Sequence, residues 1–599
     1  MPLLAALALA IHSWFAFVGE PMADDFDFLH HTFFTGRDRW FDGGGSRFYW
    51  RPVARQLYYR LLGDTMLAHP AWVSALEVGF AALAGLCIHR ALRRSWPGAW
   101  AAAAASFPLL IEAGRPLVSS PTNFQDLGAI LWSAVALHEA AHARRWSALA
   151  ALLAGLLCKE MVVVTAVALP LVAGAKTTTA GAPPTRRRLR WLVAVGILVV
   201  AWAVVYRIVL LRAGLLLARD AGQDQGALAA PWLNRFVWAC GESLGDAMSL
   251  PALTPALRGG ALAALATVAV ATIGLLAADR AARARVMARG PWVVGGLAWF
   301  VLATATLADV YPDWRPYRSP FGAIGLGVAC VALLGAAWPP LLAALVAVRL
   351  VTFAASPPPP ERVAADVASA YSLDFAKLVR LQRLVGETRR ALAVALPPPA
   401  HGARVAAHYY PRGALYAFAG DRALQTWYRD TTLHWVPIRT AVLEPNGATT
   451  VALELQPAAA RQVVPVSPQA LWHLEDADHH IEAKRWAEAL ASLKAADSLE
   501  RDPDARMFAS MLAGKRALAL VGIGRVAEAE TQAARSLALW PGNDDARYAR
   551  VGAALRLGRL ADAEADLEAL ARAHPSDAGL RRMLDDTRRA RRAQEAGRP

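Results

Sequence analysis

Residues 191–211 read WLVAVGILVVAWAVVYRIVLL, a run in which Arg207 is the single charged residue. About 20 consecutive apolar residues match the thickness of the hydrocarbon core of a bilayer. Similar runs lie at 261–278, 292–307 and 321–338. Helices of a buried globular core are the alternative, but so many long runs in one half of the chain favour membrane spans. The sequence therefore predicts a mainly α-helical, polytopic transmembrane bundle.

The placement of charge supports the same interpretation. Of the 599 residues, 56% are apolar, and the net charge is +15. A charge of this size could indicate nucleic acid, but the basic residues cluster in short loops between the apolar runs, so no nucleic-acid partner is expected. Short loops rich in Lys and Arg stay on the cytoplasmic side of a membrane. The clusters are Arg90, Arg93 and Arg94; Arg144 and Arg145; Lys176, Arg186, Arg187, Arg188 and Arg190; and Arg280, Arg283, Arg285 and Arg289.

About eleven spans account for this pattern. With a cytoplasmic N-terminus, every basic cluster falls on the cytoplasmic side, and the chain after about Ser356 falls outside. Two of the spans are short, so tilted, broken or re-entrant segments are expected there. The spans are predicted near 1–19, 70–89, 97–113, 127–142, 147–158, 161–175, 191–211, 257–278, 291–309, 319–337 and 339–355.

The first apolar stretch could instead be a signal peptide. It has no basic start and no clear cleavage site of small residues before Glu20, so a retained helix is favoured. The four cysteines, Cys87, Cys158, Cys240 and Cys330, show no metal-ligand spacing. Neither a disulfide framework nor a metal centre is predicted.

A change in composition divides the chain after the bundle. Residues 1–355 form the predicted membrane domain, and 356–361 read SPPPPE, a stiff Pro-rich linker. Residues 362–466 carry helical spacing over 363–396, two strand-like runs at 404–410 and 449–455, and a helix near 421–428, which together predict a small α/β module without visible chemistry.

The segment 467–580 contains an internal repeat. Three residue types recur 34 residues apart: Gly524 and Gly558, Ala529 and Ala563, and Pro541 and Pro575. This is the period of the tetratricopeptide (TPR) repeat, in which paired helices stack into a solenoid. A weaker copy surrounds Ala489. A generic Ala-rich bundle would not predict three matched features at one spacing. The tail 581–599 is basic and is expected to be a solvated cap.

Several charged residues are candidates for a functional site. Asp24 and Asp25 follow the first apolar run, where a carboxylate can serve as a general base toward a hydroxyl. Ordinary surface acids are the alternative. Lys159 and Glu160 interrupt an apolar stretch, where charge is costly and usually faces a cavity or a partner. They could equally pair with each other or reach the interface.

A basic, aromatic segment lies near the end of the bundle. Residues 313–320 read DWRPYRSP and fall on the predicted outer side, where the positive-inside bias disfavours arginine. The planar guanidinium of Arg315 or Arg318 suits phosphate recognition. Anchoring at the membrane interface by arginine, tyrosine and tryptophan is the alternative.

The order of these segments resembles the GT-C membrane glycosyltransferases, and especially the transmembrane and TPR O-mannosyltransferases with their bacterial relatives. An acidic pair comes first, then Tyr49-Trp50-Arg51-Pro52 leading to Gly63, then Phe107-Pro108 with Glu112, then Lys159-Glu160, then 315–320, and the repeats come last. The likeness covers about residues 1–355 and 470–580. The module at 362–466 is not part of it.

This resemblance implies a polyprenyl-phosphate or dolichyl-phosphate sugar as donor and an acceptor that approaches from outside the cytoplasm, either a protein hydroxyl or an envelope glycan. Asp24 and Asp25 match the family's acidic pair, of which the first acid is thought to be the base. Relatives often carry Glu at the second position, which leaves open which acid acts here. The expected phosphate-binding residues are Arg51, Lys159, Arg315 and Arg318, and the expected supporting residues are Glu112, Glu160, Tyr49 and Tyr317.

No ligand set requires a metal, and a divalent cation is not expected. The repeat array is expected to hold an acceptor protein or an assembly partner. Two other functions stay open: a non-enzymatic scaffold that recruits envelope proteins, and a transporter of lipid-linked sugars, although the halves show no internal symmetry. An Ala- and Arg-rich composition favours a bacterial inner membrane, with the tail in the periplasm.

Overall fold

The structure is a computed structural model. It describes residues 2–13, 19–35, 39–173, 184–216, 230–312, 314–358, 374–396, 401–408, 410, 412–437, 450–456, 459 and 461–596. Part of the Pro-rich linker (359–361) and the start of the predicted helical stretch (363–373) lie outside the described residues.

The chain is mainly helical, as the apolar runs predict. Before the sheet, the described residues form the helices α1 Pro2–Ser13, α2 Asp24–His30, α3 Tyr58–Ala68, α4 Pro70–Arg93, α5 Gly98–Ala105, α6 Phe124–Ala141, α7 Arg145–Leu156, α8 Val163–Ala173, α9 Pro184–Arg212, α10 Trp232–Ala247, α11 Pro255–Ala278, α12 Arg280–Ala288, α13 Gly290–Ala305, α14 Ser319–Ala337, α15 Pro339–Ala354 and α16 Phe375–Ala395.

Five segments within the described part of the chain are long and apolar enough to cross a membrane. They are Pro70–Arg93, Arg188–Arg212, Pro255–Ala278, Gly290–Val310 and Pro316–Ala337. Further apolar helices are shorter, including α1, α7 and α15. The length and apolar character of these five segments agree with the sequence, whereas the count of eleven spans stays a prediction.

Helices α13 and α14 of the bundle pack closely against each other. A Cβ atom at Gly296 of α13 would lie 2.5 Å from the carbonyl oxygen of Gly325 on α14, and the reciprocal contact is equally short. Only glycine permits the two backbones to approach this closely. Small residues of this kind let apolar helices associate by van der Waals packing where water supplies no driving force.

The two short spans predicted at 147–158 and 161–175 correspond to α7 and α8. The chain between them, 157–162, leaves the helix, with Lys159 extended and a single 3₁₀ turn at Glu160–Val162. This break displays Lys159 and Glu160 toward α6 and the segment that contains Arg51.

A small sheet follows α16. Its strands are β1 Arg404–His408, β2 His434–Pro437, β3 Val451–Leu455 and β4 Val463–Val466, and a helix, α17 Arg422–Tyr428, precedes β2. The order is β2-β1-β3-β4: β1 is parallel to β2 and β3, and β3 is antiparallel to β4. The sequence predicts β1, β3 and α17. It does not reveal β2 and β4, because each is four residues long and contains a proline, which weakens the strand pattern.

Seven helices complete the chain: α18 Pro468–Glu482, α19 Trp486–Leu499, α20 Arg506–Gly522, α21 Val526–Leu539, α22 Asp544–Arg556, α23 Leu560–Ala573 and α24 Ala578–Ala596. Gly524 and Gly558 lie in the turns that lead into α21 and α23, with φ values of +85° and +70°. L side chains rarely adopt this conformation. Ala529 and Ala563 are fully buried. The assignment of these helices to TPR repeats stays a prediction.

Two compact units divide the described residues. The first contains the chain up to 358 together with 374–385 and 413–426, and the second contains 386–412 and the rest from 427 onward. The boundary therefore crosses α16 and α17. Within the first unit, Gln382 of α16 donates hydrogen bonds to the carbonyl oxygens of Ser119 (2.6 Å) and Glu20 (3.1 Å), which ties the start of this helix to the bundle.

Candidate functional site

The acidic segment after the first apolar helix begins with a strained residue. Ala23 has a φ of +49°, uncommon for a residue with a Cβ atom, and α2 begins directly after it. The Ala23 N–H donates to the carbonyl oxygen of Ala417 at 2.7 Å, so a contact within the first unit holds this conformation. Strain of this kind persists only where the surroundings impose it, often at functional sites. Here it sets the direction in which α2 displays its acids.

Asp25 faces inward and is fully buried. Its carboxylate accepts three hydrogen bonds: from the Met22 N–H (2.9 Å), the Tyr59 hydroxyl (2.5 Å) and the Thr122 hydroxyl (2.5 Å). Burial raises the pKa of Asp25 to about 6, against these three bonds, which lower it. This side chain joins α2 to α3 and to the turn before α6, and its oxygens are occupied by protein donors.

Asp24 faces the opposite way. Its side chain is exposed and lines a polar cavity of about 550 Å³. The charged and polar lining comes from α2 and from residues 416–425 of the same unit: Asp24, Asp27, His30, Tyr416, Asp421, Arg422 and Gln425. The one-residue step between Asp24 and Asp25 therefore separates an accessible carboxylate from a buried one.

Contacts between α2 and residues 416–425 form the walls of this cavity. Arg422 makes an ion pair with Asp27 through Nη1 and Oδ1. Burial raises the pKa of Asp27 in spite of this arginine. Burial also lowers the pKa of His30, against a hydrogen bond with Gln425 that raises it. The cavity thus combines three carboxylates with one guanidinium and one imidazole.

The segment around Arg315 adjoins the cavity through Tyr416. Arg315 hydrogen-bonds to the Tyr416 side chain, and burial, reinforced by the charge of Asp24, raises the pKa of this tyrosine to about 12. Tyr317 lies near Tyr416. The Arg318 guanidinium lies 5.8 Å from the centre of the Tyr317 ring.

Asp246 of α10 fixes this segment. Its Oδ2 accepts hydrogen bonds from Trp314 Nε1 at 2.7 Å and from the Ser319 hydroxyl at 2.6 Å. Burial raises the pKa of Asp246 to about 6. The turn that carries Arg315 and Arg318 is thus held at both ends by one carboxylate that sequence reasoning did not single out.

Arg51 lies in a buried charge network. Its Nε and Nη2 donate to both carboxylate oxygens of Glu160, the shortest contact being 2.6 Å, and its Nη1 donates to Gln125 Oε1 at 2.6 Å. The Tyr49 ring lies 4.2 Å below the guanidinium, and the Tyr206 hydroxyl donates to Glu160 at 2.8 Å. Sequence reasoning brought Arg51, Glu160 and Tyr49 to one site, and the structure places them in contact.

Lys159 belongs to a second buried pair. Its ammonium group contacts Asp126 of α6 at 2.5 Å, and both side chains are mostly buried. The alternative in which Lys159 pairs with Glu160 is therefore not what the structure shows, because Glu160 is held by Arg51. Two cations expected to bind a phosphate are each neutralised by a carboxylate of the bundle.

Glu112 lies at the start of a 3₁₀ turn outside this network. Its backbone N–H donates to the Ser249 hydroxyl at 2.9 Å, and its carboxylate interacts electrostatically with Arg115. Arg115 is almost fully buried and donates to the carbonyl oxygens of His12 and Pro357. These contacts support the conformation of the turn, and Glu112 does not line the cavity around Asp24.

Arg55 connects the buried network with the cavity. It donates three hydrogen bonds from Nη1 to the carbonyl oxygens of Gly43, Phe48 and Tyr49, and its charge interacts with both Glu160 and Asp24. Its sequence context, in an ordinary polar helix turn, gives no sign of this role.

Residues 416–425 are the part of the site that the sequence did not reveal. Arg422 and Asp27 are nearly 400 positions apart, so no spacing rule relates them. The sequence interpretation gave residues 362–466 no chemistry, whereas this stretch supplies one wall of the cavity.

In the described part of the chain, no group of three or more His, Cys, Asp and Glu side chains is placed to hold an ion. A scan against protein-family models, a search of curated proteins and a search of solved structures returned no match to this chain.

Proposed function

We propose that the protein is a membrane glycosyltransferase that moves a sugar from a polyprenyl-phosphate donor to a hydroxyl acceptor outside the cytoplasm. The observation that carries the proposal is the pair of adjacent acids with different environments. Asp25 is buried with three donors, whereas Asp24 is exposed in a polar cavity directly after the first apolar helix. A general base must be accessible to the proton that it removes.

In this mechanism, Asp24 accepts the proton of the acceptor hydroxyl as its oxygen forms a bond to the anomeric carbon of the sugar. The bond from that carbon to the phosphate oxygen breaks, and its electron pair leaves with the lipid phosphate. Asp25 is a positioning residue, because its hydrogen bonds to Tyr59 and Thr122 orient the start of α2.

The proposed arrangement in the membrane extends beyond the five apolar helices. It has about eleven spans, a cytoplasmic N-terminus, and a C-terminal part in the periplasm of a bacterial inner membrane, where α18–α24 form a TPR solenoid that holds an acceptor protein or an assembly partner. The basic loops between the apolar runs support this orientation. Reporter fusions after Leu216 and Pro358 test it, since the orientation predicts an extracytoplasmic reporter at both positions.

The decisive measurement is the release of labelled sugar from a panel of polyprenyl-phosphate sugars by membranes that contain wild type, Asp24→Asn or Asp25→Asn. A native membrane extract supplies acceptors. We expect the Asp24→Asn variant to lose about 10²- to 10⁴-fold in turnover per folded molecule, the usual contribution of general base catalysis. The Asp25→Asn variant is expected to lose less, through misplacement of α2.

Equal turnover by the Asp24→Asn variant and the wild type would remove Asp24 from the mechanism. If the wild type consumes no donor even with the extract present, the non-enzymatic scaffold becomes the better account of this chain. Movement of the intact lipid-linked sugar across sealed vesicles, without release of the sugar, would instead favour the transporter.

A further inference from the structure

Two of the four cations expected to receive the donor phosphate, Arg51 and Lys159, are paired with carboxylates inside the bundle. Arg51 is held by Glu160 and Gln125, and Lys159 is held by Asp126. Neither residue lines the cavity. A phosphate that approached either cation would have to displace a carboxylate already paired with it, at the cost of leaving that carboxylate buried and unpaired.

Two further arginines near Asp24 are also engaged. Arg55 is buried and donates to three carbonyl oxygens, and Arg315 hydrogen-bonds to Tyr416. Arg422 differs from both. It lines the cavity with Asp24, its side chain is 45% exposed, and its ion pair with Asp27 uses one edge of the guanidinium. Among the described residues, its Nε and Nη2 have no hydrogen-bond partner.

We infer that Arg422, from the small module after the bundle, binds the phosphate of the lipid-linked donor beside Asp24. The inference rests on the proposed function and names the phosphate-binding residue that the sequence placed elsewhere.

The chemistry requires a cation at this place. When the bond between the anomeric carbon and the phosphate oxygen breaks, its electron pair adds one negative charge to the leaving phosphate, while the proton of the acceptor passes to Asp24. A guanidinium presents two parallel N–H groups that match two phosphate oxygens. Fixed donors aimed at developing charge are among the largest contributions to catalysis.

Asp27 has a defined part in this arrangement. It holds Arg422 from the α2 side, and it competes with the phosphate for the same guanidinium. The inference therefore predicts different results for two variants that break the same ion pair. Asp27→Asn keeps the cation and removes its competitor, whereas Arg422→Gln removes the cation.

The experiment measures binding of a long-chain polyprenyl phosphate, without sugar, to the full-length protein in mixed micelles, followed by donor turnover. We expect Arg422→Gln to weaken binding and to lower kcat/KM for the donor by about 10²- to 10³-fold, as expected for removal of one donor to a developing oxyanion. Asp27→Asn is expected to bind as tightly as the wild type or tighter. The double variant Asp27→Asn with Arg422→Gln should bind as weakly as Arg422→Gln.

Arg144→Gln is the matched control, since Arg144 forms an exposed ion pair with Glu139 in the same unit and takes no part in the site. The unfolding midpoint of each variant shows whether a loss reflects misfolding. Arg422→Lys, which keeps the charge without the planar fork, should fall between the wild type and Arg422→Gln.

Unchanged binding and turnover in Arg422→Gln would overturn the inference, and so would recovery of both in the double variant, which would make Arg422 only a structural partner of Asp27. In either case, turnover by the wild type would leave the proposed function standing. Binding of polyprenyl phosphate that depends on Arg422, with no turnover of any donor, would uphold the phosphate site and overturn the transferase. A second experiment tests competition by inorganic phosphate. If micromolar inorganic phosphate displaces the polyprenyl phosphate, the site binds the free ion and the donor role is refuted.

Discussion

The charges around the cavity and the charges inside the bundle are built on the same residue types but are arranged differently. In the cavity, Asp24 is exposed and Arg422 uses one edge in its pair with Asp27. Inside the bundle, Arg51 and Glu160 satisfy each other through two parallel hydrogen bonds, with Tyr206 and Gln125 as further partners. The arrangement in the cavity leaves charged groups that can still bond to a ligand. In the arrangement inside the bundle, the charged groups bond to one another and hold the helices together.

The difference has a thermodynamic reason. A buried ion pair loses its hydration, and this cost is recovered only when both partners are present with good geometry. An exposed charge keeps its water until a substrate displaces it. We therefore expect substitutions in the buried network to change stability first, and substitutions in the cavity to change turnover first.

The largest effect on stability is expected from Arg51→Met, which leaves the partly buried Glu160 carboxylate with the Tyr206 hydroxyl and its own backbone N–H as partners. Removal of one member of a buried pair costs about 3 to 5 kcal/mol. The double variant Arg51→Met with Glu160→Met removes both charges and should recover more than half of the loss. The measurement is the free energy of unfolding in mixed detergent micelles.

The contrary result is informative. If Arg51→Met unfolds like the wild type but no longer binds polyprenyl phosphate, Arg51 has the phosphate-binding role expected from the sequence. The comparison between a closed network and an open cavity would then fail at its central residue.

An intermediate effect is expected from the pH dependence of stability at Asp25. Its pKa is raised from 3.8 to about 6 in the folded protein, so the folded state holds the proton more tightly than the unfolded state. Stability from this group is fully present below pH 4 and is lost as the pH rises toward 6. Because one pKa unit corresponds to about 1.4 kcal/mol, the loss is about 3 kcal/mol.

Asp25→Asn removes this titration. The difference between the wild-type and variant unfolding free energies, followed from pH 4 to pH 7, isolates Asp25 from other groups that titrate in the same range, including Asp246. Parallel curves for the two proteins would contradict the burial of an ionisable Asp25.

The smallest effect is expected at the exposed pair of Arg144 and Glu139. The Arg144 side chain is 65% exposed, so water screens the interaction. Arg144→Gln should change the unfolding free energy by less than about 1 kcal/mol, and by less still at high salt. A larger loss would show that exposed and buried ion pairs do not differ in their contribution to the stability of this protein.

The sequence anticipated much of the bundle. Apolar runs placed the helices, because about 20 apolar residues determine a membrane-length helix without reference to other parts of the chain. The short spans around Lys159 were expected to be tilted, broken or re-entrant, and the structure shows a non-α-helical stretch between them. Strand β1, strand β3 and helix α17 were also predicted. The short strands β2 and β4, which contain proline, were not.

The candidate site was anticipated only where its residues are close in sequence or part of a recognised order. Asp24 and Asp25 were singled out together, but period and spacing could not say which carboxylate is exposed. That distinction depends on Tyr59 and Thr122, which come from other elements. The partners of Arg51 and Lys159 likewise depend on how α6 and the break before α8 pack together.

The sequence by itself determined that this chain has apolar helices of membrane length, a 34-residue recurrence of Gly, Ala and Pro near its end and an acidic pair after its first helix, because each of these is a local pattern of hydrophobicity, charge or period. Only the tertiary structure decided which charges are satisfied and which face a cavity. Residues 416–425 reach Asp24 across nearly 400 positions, and a hydrogen bond or ion pair at that separation exists only once the chain has folded.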